Sequence, residues 1–105
     1  MCKIEFTDKA EEDLFSSLSY IANVLKAPTA AKKLLEEIEN KVKILESSPF
    51  CCALVSDEYL KTKGIRSLLV KNYLVFYIVK EEENIASIIR ILYGRRDWMK
   101  LLKND

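Results

Sequence analysis

Two strand-length apolar runs in the C-terminal half, residues 74–79 and 88–92, constrain the fold of this chain most strongly. Each run is apolar on both faces, which is typical of central strands in a sheet that helices cover on one side. The charged segment 80–84 predicts the turn between them. A further strand is expected to begin at Gly64 and end near Val70, with residues 71–72 as the turn into the strand 73–79. The last strand is expected to cover 85–93.

The N-terminal half shows helical rather than strand periodicity. After a short strand at residues 2–6, Thr7 or Asp8 is expected to cap an amphipathic helix of about five turns. Pro28 interrupts the pattern and favours the first turn of a second helix. The apolar positions of the two helices recur at intervals of three and four residues: Ala10, Leu14, Leu18, Ile21 and Leu25, then Ala31, Leu34, Leu35, Ile38, Val42 and Leu45. Two such helices joined by a short break predict a hairpin.

These elements predict an α+β fold in one domain, residues 1–105. Its parts are a short N-terminal strand, a helical hairpin, a three-stranded antiparallel meander and a short C-terminal helix at 95–103. Residues 50–63 are expected to form a loop or at most a short strand. We expect the helices to pack on one face of the sheet. A length of 105 residues matches the usual size of a single domain.

Composition excludes several kinds of chemistry. The chain has no histidine, so Ser-His, Cys-His and other histidine-based mechanisms are excluded. The three cysteines have no C-x-x-C spacing, so no metal site and no cofactor are expected, and free cysteines pack as small apolar residues. No apolar run reaches the ~18–20 residues of a membrane span, and the N-terminus does not resemble a signal peptide. We therefore expect a cytoplasmic protein without a membrane partner.

The net charge of +1 conceals an uneven distribution. Residues 1–58 contain 7 Lys and Arg against 11 Asp and Glu, whereas residues 59–105 contain 10 against 5. An anionic partner is therefore expected to meet the C-terminal half. The alternative is that the acidic excess only reflects solvated helix faces.

Arg90 is the most conspicuous charged residue, because it lies between the apolar pairs 88–89 and 91–92. An arginine in a buried strand needs a partner that compensates for lost water, so a structural ion pair is one interpretation. We favour the other, a functional cation that stays partly accessible, so that Arg90→Ala costs little stability. The carboxylates of residues 8–13 are interpreted as a favourable helix N-terminus.

Two further basic groups lie in the same half. Lys61, Lys63 and Arg66 precede or enter the first meander strand. Around the C-terminal helix, Tyr93, Arg95, Arg96 and Trp98 are the predicted target-binding residues. Basic side chains between aromatic rings can follow a phosphate backbone and stack on bases. Tyrosines in strands, however, more often serve packing.

Two segments of the C-terminal half resemble toxins of the RelE/ParE superfamily of type II toxin–antitoxin systems. They are residues 64–77, GIRSLLVKNYLVFY, and residues 88–97, IIRILYGRRD. The N-terminal strand, the helical hairpin and the Leu45-x-x-x-Pro49 exit resemble the same toxins. The resemblance thus covers nearly the whole chain and implies the RelE/ParE-like fold.

The resemblance also implies a growth-inhibiting toxin whose partner is a cognate antitoxin, with operator DNA bound only through that antitoxin. RelE-like members cut messenger RNA on the ribosome without a metal, using basic residues that stabilise the transition state. ParE-like members inhibit DNA gyrase and need no nuclease site. A non-toxic binding module that has kept the fold is a third possibility.

For a nuclease, the resemblance implies a catalytic set of Arg90 in the last strand, Arg66 at the start of the meander, and Lys61 and Lys63 before it. Leu74 departs from the pattern, because many family members have arginine directly after the tyrosine that starts the middle strand. This departure and the missing histidine weaken the nuclease interpretation. We therefore expect a ParE-like gyrase inhibitor, with the ribosome-dependent nuclease as the alternative.

Overall fold

The structure is a computed structural model that describes residues 1–104. Its elements in chain order are β1 (Lys3–Phe6), α1 (Asp8–Ser19), a π-helical turn (Tyr20–Val24), α2 (Pro28–Lys43), a 3₁₀ turn (Ile44–Glu46), α3 (Glu58–Thr62), β2 (Arg66–Val70), β3 (Tyr73–Lys80), β4 (Ile85–Tyr93) and α4 (Trp98–Lys103). Within this part of the chain, no helix is both long enough and apolar enough to cross a membrane.

The four strands form one sheet in the order β1-β4-β3-β2. Strands β2, β3 and β4 are the predicted antiparallel meander, and β1 lies parallel to β4 from the pair Lys3–Ile85 to the pair Phe6–Ile88. The predicted α+β architecture, with an N-terminal strand, a helical hairpin, a meander and a C-terminal helix, is confirmed. The sequence did not indicate where β1 joins the sheet, because strand pairing between chain ends is a long-range contact.

The helical hairpin begins where Thr7 caps α1 by accepting a hydrogen bond from the amide of Ala10 at 3.2 Å. The predicted five-turn helix is an α-helix followed by the π-helical turn, in which the amide of Leu25 donates to the carbonyl of Tyr20 at 3.1 Å. Lys26 then adopts a left-handed φ of 56°, which ends the helix and reverses the chain. Pro28 occupies the first turn of α2 as expected.

The sheet is covered on both faces rather than on one. Ile38 of α2 and Leu45 pack with Val75 and Ile88 in the first core. On the other face, Phe76 and Leu92 form a second core with residues from α3 and α4, chiefly Leu60 and Leu102. The expectation that helices cover only one face is therefore wrong. The second layer is needed because β3 and β4 are apolar on both sides.

Residues 50–63 differ from the expected loop or short strand. Leu54 makes an isolated antiparallel bridge with Arg66, and α3 follows, with Asp57 as its N-cap. The Asp57 carboxylate accepts a hydrogen bond from the amide of Leu60 at 3.0 Å. A helix this short cannot display an apolar period, so hydrophobic patterning alone does not detect it.

A β-bulge interrupts the pairing of β3 with β4. Tyr77 faces Ile88, whereas the preceding residue Phe76 faces Arg90, so Ile89 is an extra residue in β4. A bulge inverts the alternation of side chains in the strand that carries it. Ile88 therefore faces the first core, whereas Arg90 lies on the same face of the sheet as Phe76.

The carboxylate of Asp57 provides a test of how α3 is held, because it also contacts Lys103 of α4 at 3.0 Å. The Leu60 amide, and after it Lys103, lower the pKa of Asp57 in the folded chain. A lowered folded pKa stabilises the fold fully above the pKa of an unfolded aspartate, and this stabilisation is lost as the pH falls through the folded pKa. We expect Asp57→Ala to unfold at a lower temperature than the wild type near neutral pH. The difference between the two unfolding temperatures should become smaller in acid.

Thermal unfolding, followed by circular dichroism at a series of pH values from acid to neutral, measures this difference in unfolding temperature. Glu82→Ala removes an exposed carboxylate from the β3–β4 turn and serves as the control. If the difference in unfolding temperature between Asp57→Ala and the wild type stays constant across the series, the ionised Asp57 carboxylate does not stabilise the fold.

Candidate functional site

The C-terminal half of β4 extends beyond β1, whose pairing ends at Ile88. Polar groups at the start of the helical hairpin form hydrogen bonds with the backbone of this edge instead. The amide of Thr7 donates to the carbonyl of Ile88 at 3.0 Å, and its hydroxyl donates to the carbonyl of Ile89 at 3.1 Å. The carboxylate of Asp13 accepts from the amide of Ile91 at 3.0 Å. Polar groups of α1 and its cap thus replace a neighbouring strand along this edge.

The same carboxylate holds Arg90 at two points. The Nε atom of Arg90 lies 2.7 Å from Oδ2 of Asp13, and Nη2 lies 3.0 Å from Oδ1. The two side chains are only 11% and 12% exposed. Two-point pairing of arginine with a carboxylate is both strong and directional. It compensates for the water that both charges lose on burial.

The expectation that Arg90 is partly accessible is therefore wrong. Its guanidinium is buried against α1 instead of being presented to a partner. The interpretation of Asp13 as one of several carboxylates favouring a helix N-terminus is also wrong, since Asp13 binds β4. The only local signal was its position beside Leu14 of the apolar stripe, and the separation of 77 positions between Asp13 and Arg90 hides the pair in the sequence.

Arg66 is held at a different place, which we call the Arg66 corner: Pro49, Phe50, Cys52, Arg66 and Tyr77. Nη1 of Arg66 donates to the carbonyl of Cys52 at 2.6 Å, and the guanidinium lies 4.9 Å from the centre of the Phe50 ring. The hydroxyl of Tyr77 donates to the carbonyl of Pro49 at 2.9 Å. Burial, followed by the nearby thiol of Cys52, raises the pKa of Tyr77, which keeps the phenol protonated.

Arg66 and Arg90 lie on opposite faces of the sheet. Arg66 is paired with Tyr77, and Arg90 with the adjacent residue Phe76. Residues directly opposite one another share a face, and successive residues of a strand point to opposite faces. The two arginines of the predicted catalytic set therefore do not converge on a common space.

Lys61 and Lys63 are exposed, within and just after α3. The Nζ atom of Lys63 lies 5.2 Å from the centre of the Tyr59 ring. Lys63 also lines a cleft of about 450 Å³ whose walls include Ile89 and Leu102 of the second core. Lys63 thus belongs to the face opposite Arg66.

The predicted target-binding residues separate into two groups. Tyr93 packs edge to face against Tyr73, with ring centres 5.5 Å apart, and together with Arg96 they line a groove of about 850 Å³ beside the helical hairpin. Trp98 instead packs on Phe76 in the second core, with ring centres 5.3 Å apart. Arg95 is exposed. Tyr93, Arg95 and Arg96 are therefore presented together, whereas Trp98 holds α4 against the sheet.

The family profile described as "ParE toxin of type II toxin-antitoxin system, parDE" matches residues 4–98. The chain belongs to the ParE toxin family. No curated protein sequence matches significantly. The fold is similar to a structure of the chromosomal ParDE toxin–antitoxin system from P. aeruginosa, with a TM-score of 0.71, 26% identity, and coverage of 89% of this chain and 96% of that one.

Two more distant structures share the fold. A RelBE toxin–antitoxin complex from Mycobacterium tuberculosis has a TM-score of 0.59 at 18% identity, covering 88% of this chain and 96% of that one. The intact E. coli RelBE complex has a TM-score of 0.58 at 13% identity, covering 91% of this chain and 100% of that one. The predicted RelE/ParE membership and fold of this type II toxin are confirmed.

Across residues 1–104, no group of three or more Cys, Asp and Glu side chains is arranged to hold a metal ion. The cationic side chains are instead distributed over two faces and the C-terminal end. Of the predicted site residues, Tyr93 and Arg96 line one groove, whereas Arg66 lies apart in its corner.

The buried ion pair predicts a large stability effect at Arg90. Arg90→Ala leaves the Asp13 carboxylate buried without its two-point partner and should cost about 3–5 kcal/mol. That is a large part of the roughly 5–15 kcal/mol by which a small domain is stable. Urea unfolding of the purified variant measures the loss.

Lys80→Ala is the matched control, because it breaks an exposed ion pair with Glu5 at 3.5 Å and should cost only about 0–1 kcal/mol. The combined variant Asp13→Ala/Arg90→Ala should lose less than the sum of its single changes, since the two residues act as a unit. If Arg90→Ala and Lys80→Ala lower the free energy of unfolding by the same amount, the interpretation of Arg90 as an accessible functional cation is favoured instead.

Proposed function

We propose that this toxin arrests growth by inhibiting DNA gyrase and that a cognate antitoxin neutralises it. The observation that carries the proposal is the match of the ParE toxin family to residues 4–98. The structure from P. aeruginosa that resembles this chain is itself a ParDE system. The gyrase target follows from what the resemblance to ParE-like toxins implies.

The arrangement of the cations supports a non-catalytic toxin. Metal-independent cleavage of RNA needs cationic groups placed together around one phosphate, where they stabilise the charge of the transition state. Here Arg90 projects from the face of Phe76 and is bound to Asp13, whereas Arg66 projects from the opposite face and is bound to the Cys52 carbonyl. The two guanidinium groups are thus held by different partners rather than placed together around one phosphate.

Exposed side chains near α4 offer a surface for a protein target. Arg95 and Arg96 are exposed next to Tyr93, which lines the groove beside the helical hairpin. Arginine and tyrosine are enriched at the centres of protein interfaces. We assign these three residues to target contact, with Trp98 as a support that fixes the position of α4.

The outer side of the helical hairpin is the surface we assign to the antitoxin. Phe15 is 73% exposed there and borders a groove between α1 and α2 whose other walls include Leu18 and Leu35. Exposed apolar grooves of this kind commonly bind an amphipathic helix of a partner. The solved relatives are toxin–antitoxin complexes, which supports an antitoxin as the occupant.

Gyrase inhibition is tested with the purified toxin in a DNA supercoiling assay and by induced expression in growing cells. We expect supercoiling to stop in vitro, and growth arrest with filamentation and DNA damage signalling in vivo. Arg95→Glu/Arg96→Glu should weaken the inhibition by about tenfold or more, since two attractive contacts become repulsive. Lys41→Glu/Lys43→Glu changes the same charge on the exposed side of α2 and should inhibit like the wild type.

The competing functions give different results in the same experiments. Codon-positioned cuts in messenger RNA with unaffected supercoiling would contradict the proposal and favour the ribosome-dependent nuclease. In that case Lys61→Glu/Lys63→Glu, rather than the Arg95/Arg96 variant, should abolish toxicity. Normal growth despite soluble, folded protein would favour a non-toxic binding module.

A further inference from the structure

Two adjacent cysteines face each other at the exposed end of the Arg66 corner. The Sγ atoms of Cys51 and Cys52 lie 3.5 Å apart. Cys51 is exposed, Cys52 is half-buried, and both are free thiols. Within the part of the chain that the structure describes, the third cysteine, Cys2, is buried in the first core.

The backbone around these thiols is held from both sides. The carbonyl of Pro49 accepts from the hydroxyl of Tyr77, and the carbonyl of Cys52 accepts from Nη1 of Arg66. The amide of Cys51 donates to the carbonyl of Ser48 at 3.1 Å. The Cys52 carbonyl that positions Arg66 is bonded to the Cα atom of Cys52, so a rotation of the backbone at Cys52 moves it.

We propose that Cys51 and Cys52 form a reversible oxidation site, at which a low-molecular-weight disulfide converts the two thiols into a vicinal disulfide and loosens Arg66. This site is independent of the target that the toxin inhibits. The oxidised form differs from the reduced form in the Cys51–Cys52 ring and in the hydrogen bond of Arg66.

The reaction is two thiol–disulfide exchanges. The thiolate of Cys51 attacks one sulfur of oxidised glutathione, forming a mixed disulfide and releasing one glutathione thiolate. The thiolate of Cys52 then attacks Sγ of Cys51 and displaces the second glutathione. Two protein thiols lose two protons and two electrons, and one glutathione disulfide becomes two glutathione thiols.

Geometry makes this disulfide a labile one. Adjacent Cα atoms are about 3.8 Å apart across a trans peptide, whereas most disulfides join Cα atoms about 4.4–6.8 Å apart. The ring is therefore strained, and strained disulfides are the readily reduced, regulatory ones. Partial burial, and after it the Cys52 thiol, raises the pKa of Cys51. The thiolate is thus scarce near neutral pH, so the pair follows the prevailing redox balance slowly.

Closing the ring rotates the backbone at Cys51 and Cys52, including the Cα atom that carries the Cys52 carbonyl, because the Sγ atoms have to approach from 3.5 Å to bonding distance. The Cys52 carbonyl then leaves Nη1 of Arg66. The guanidinium keeps its contact with the Phe50 ring or turns to solvent, so this part of the surface becomes more positive towards an anionic partner.

The test uses the full chain, reduced and dilute, incubated with oxidised glutathione and examined by intact-mass spectrometry and thiol alkylation. We expect the mass of the chain to fall by two hydrogen atoms. After unfolding, Cys51 and Cys52 should resist alkylation, whereas Cys2 should be alkylated. Dithiothreitol should reverse both changes. Phenylarsine oxide, which bridges paired thiols, should bind once to the reduced chain. Cys51→Ser and Cys52→Ser should instead gain one glutathione and lose arsenical binding, whereas Cys2→Ala should behave like the wild type.

The effect of disulfide formation on Arg66 is measured by nitrogen-15 NMR of the same samples. Oxidation should shift the Arg66 side-chain signal and the amides of residues 49–54, while Arg90 on the other face stays unchanged. A stable glutathione adduct on the wild type, dimers linked between chains, or ring closure without a shift at Arg66 would each overturn the proposal.

Discussion

The Asp13 carboxylate is the point at which the helical hairpin and the sheet depend on each other. It accepts hydrogen bonds from the side chain of Arg90 and from the amide of Ile91. Without α1, the edge of β4 beyond β1 would expose backbone groups, and Arg90 would lose its two-point bond to Asp13. Asp13 contributes to both, and Thr7 binds the rest of the edge, so the position of α1 along β4 is closely specified.

The bulge at Ile89 explains why the cations do not form a common site. Without the extra residue, Arg90 would share a face with Ile88 and Tyr77, and hence with Arg66. The inserted residue places Arg90 on the face of Phe76, and its guanidinium pairs with Asp13 of α1. A change of one residue in strand register thus separates two charges that the sequence pattern would bring together.

The surfaces that remain exposed differ in chemistry and in position. The hairpin presents apolar side chains such as Phe15, and the C-terminal end presents Arg95 and Arg96. Neither surface requires the buried ion pair or the Arg66 corner for direct contact with a partner. In the function we propose, the rigid sheet therefore supports separate binding surfaces, and its buried charges serve to hold the scaffold together.

The sequence alone determined the local elements: the helical hairpin from its apolar stripes, the meander from two strand-length apolar runs, and the turn at residues 71–72. Tertiary structure alone decided the pairing of β1 with β4, the second helical layer with α3, and the burial of Arg90 against Asp13. Periodicity reports which face of an element is buried, because it arises from neighbouring residues. It does not report which distant residue meets a buried charge, since that contact depends on a bulge and on a partner 77 residues away.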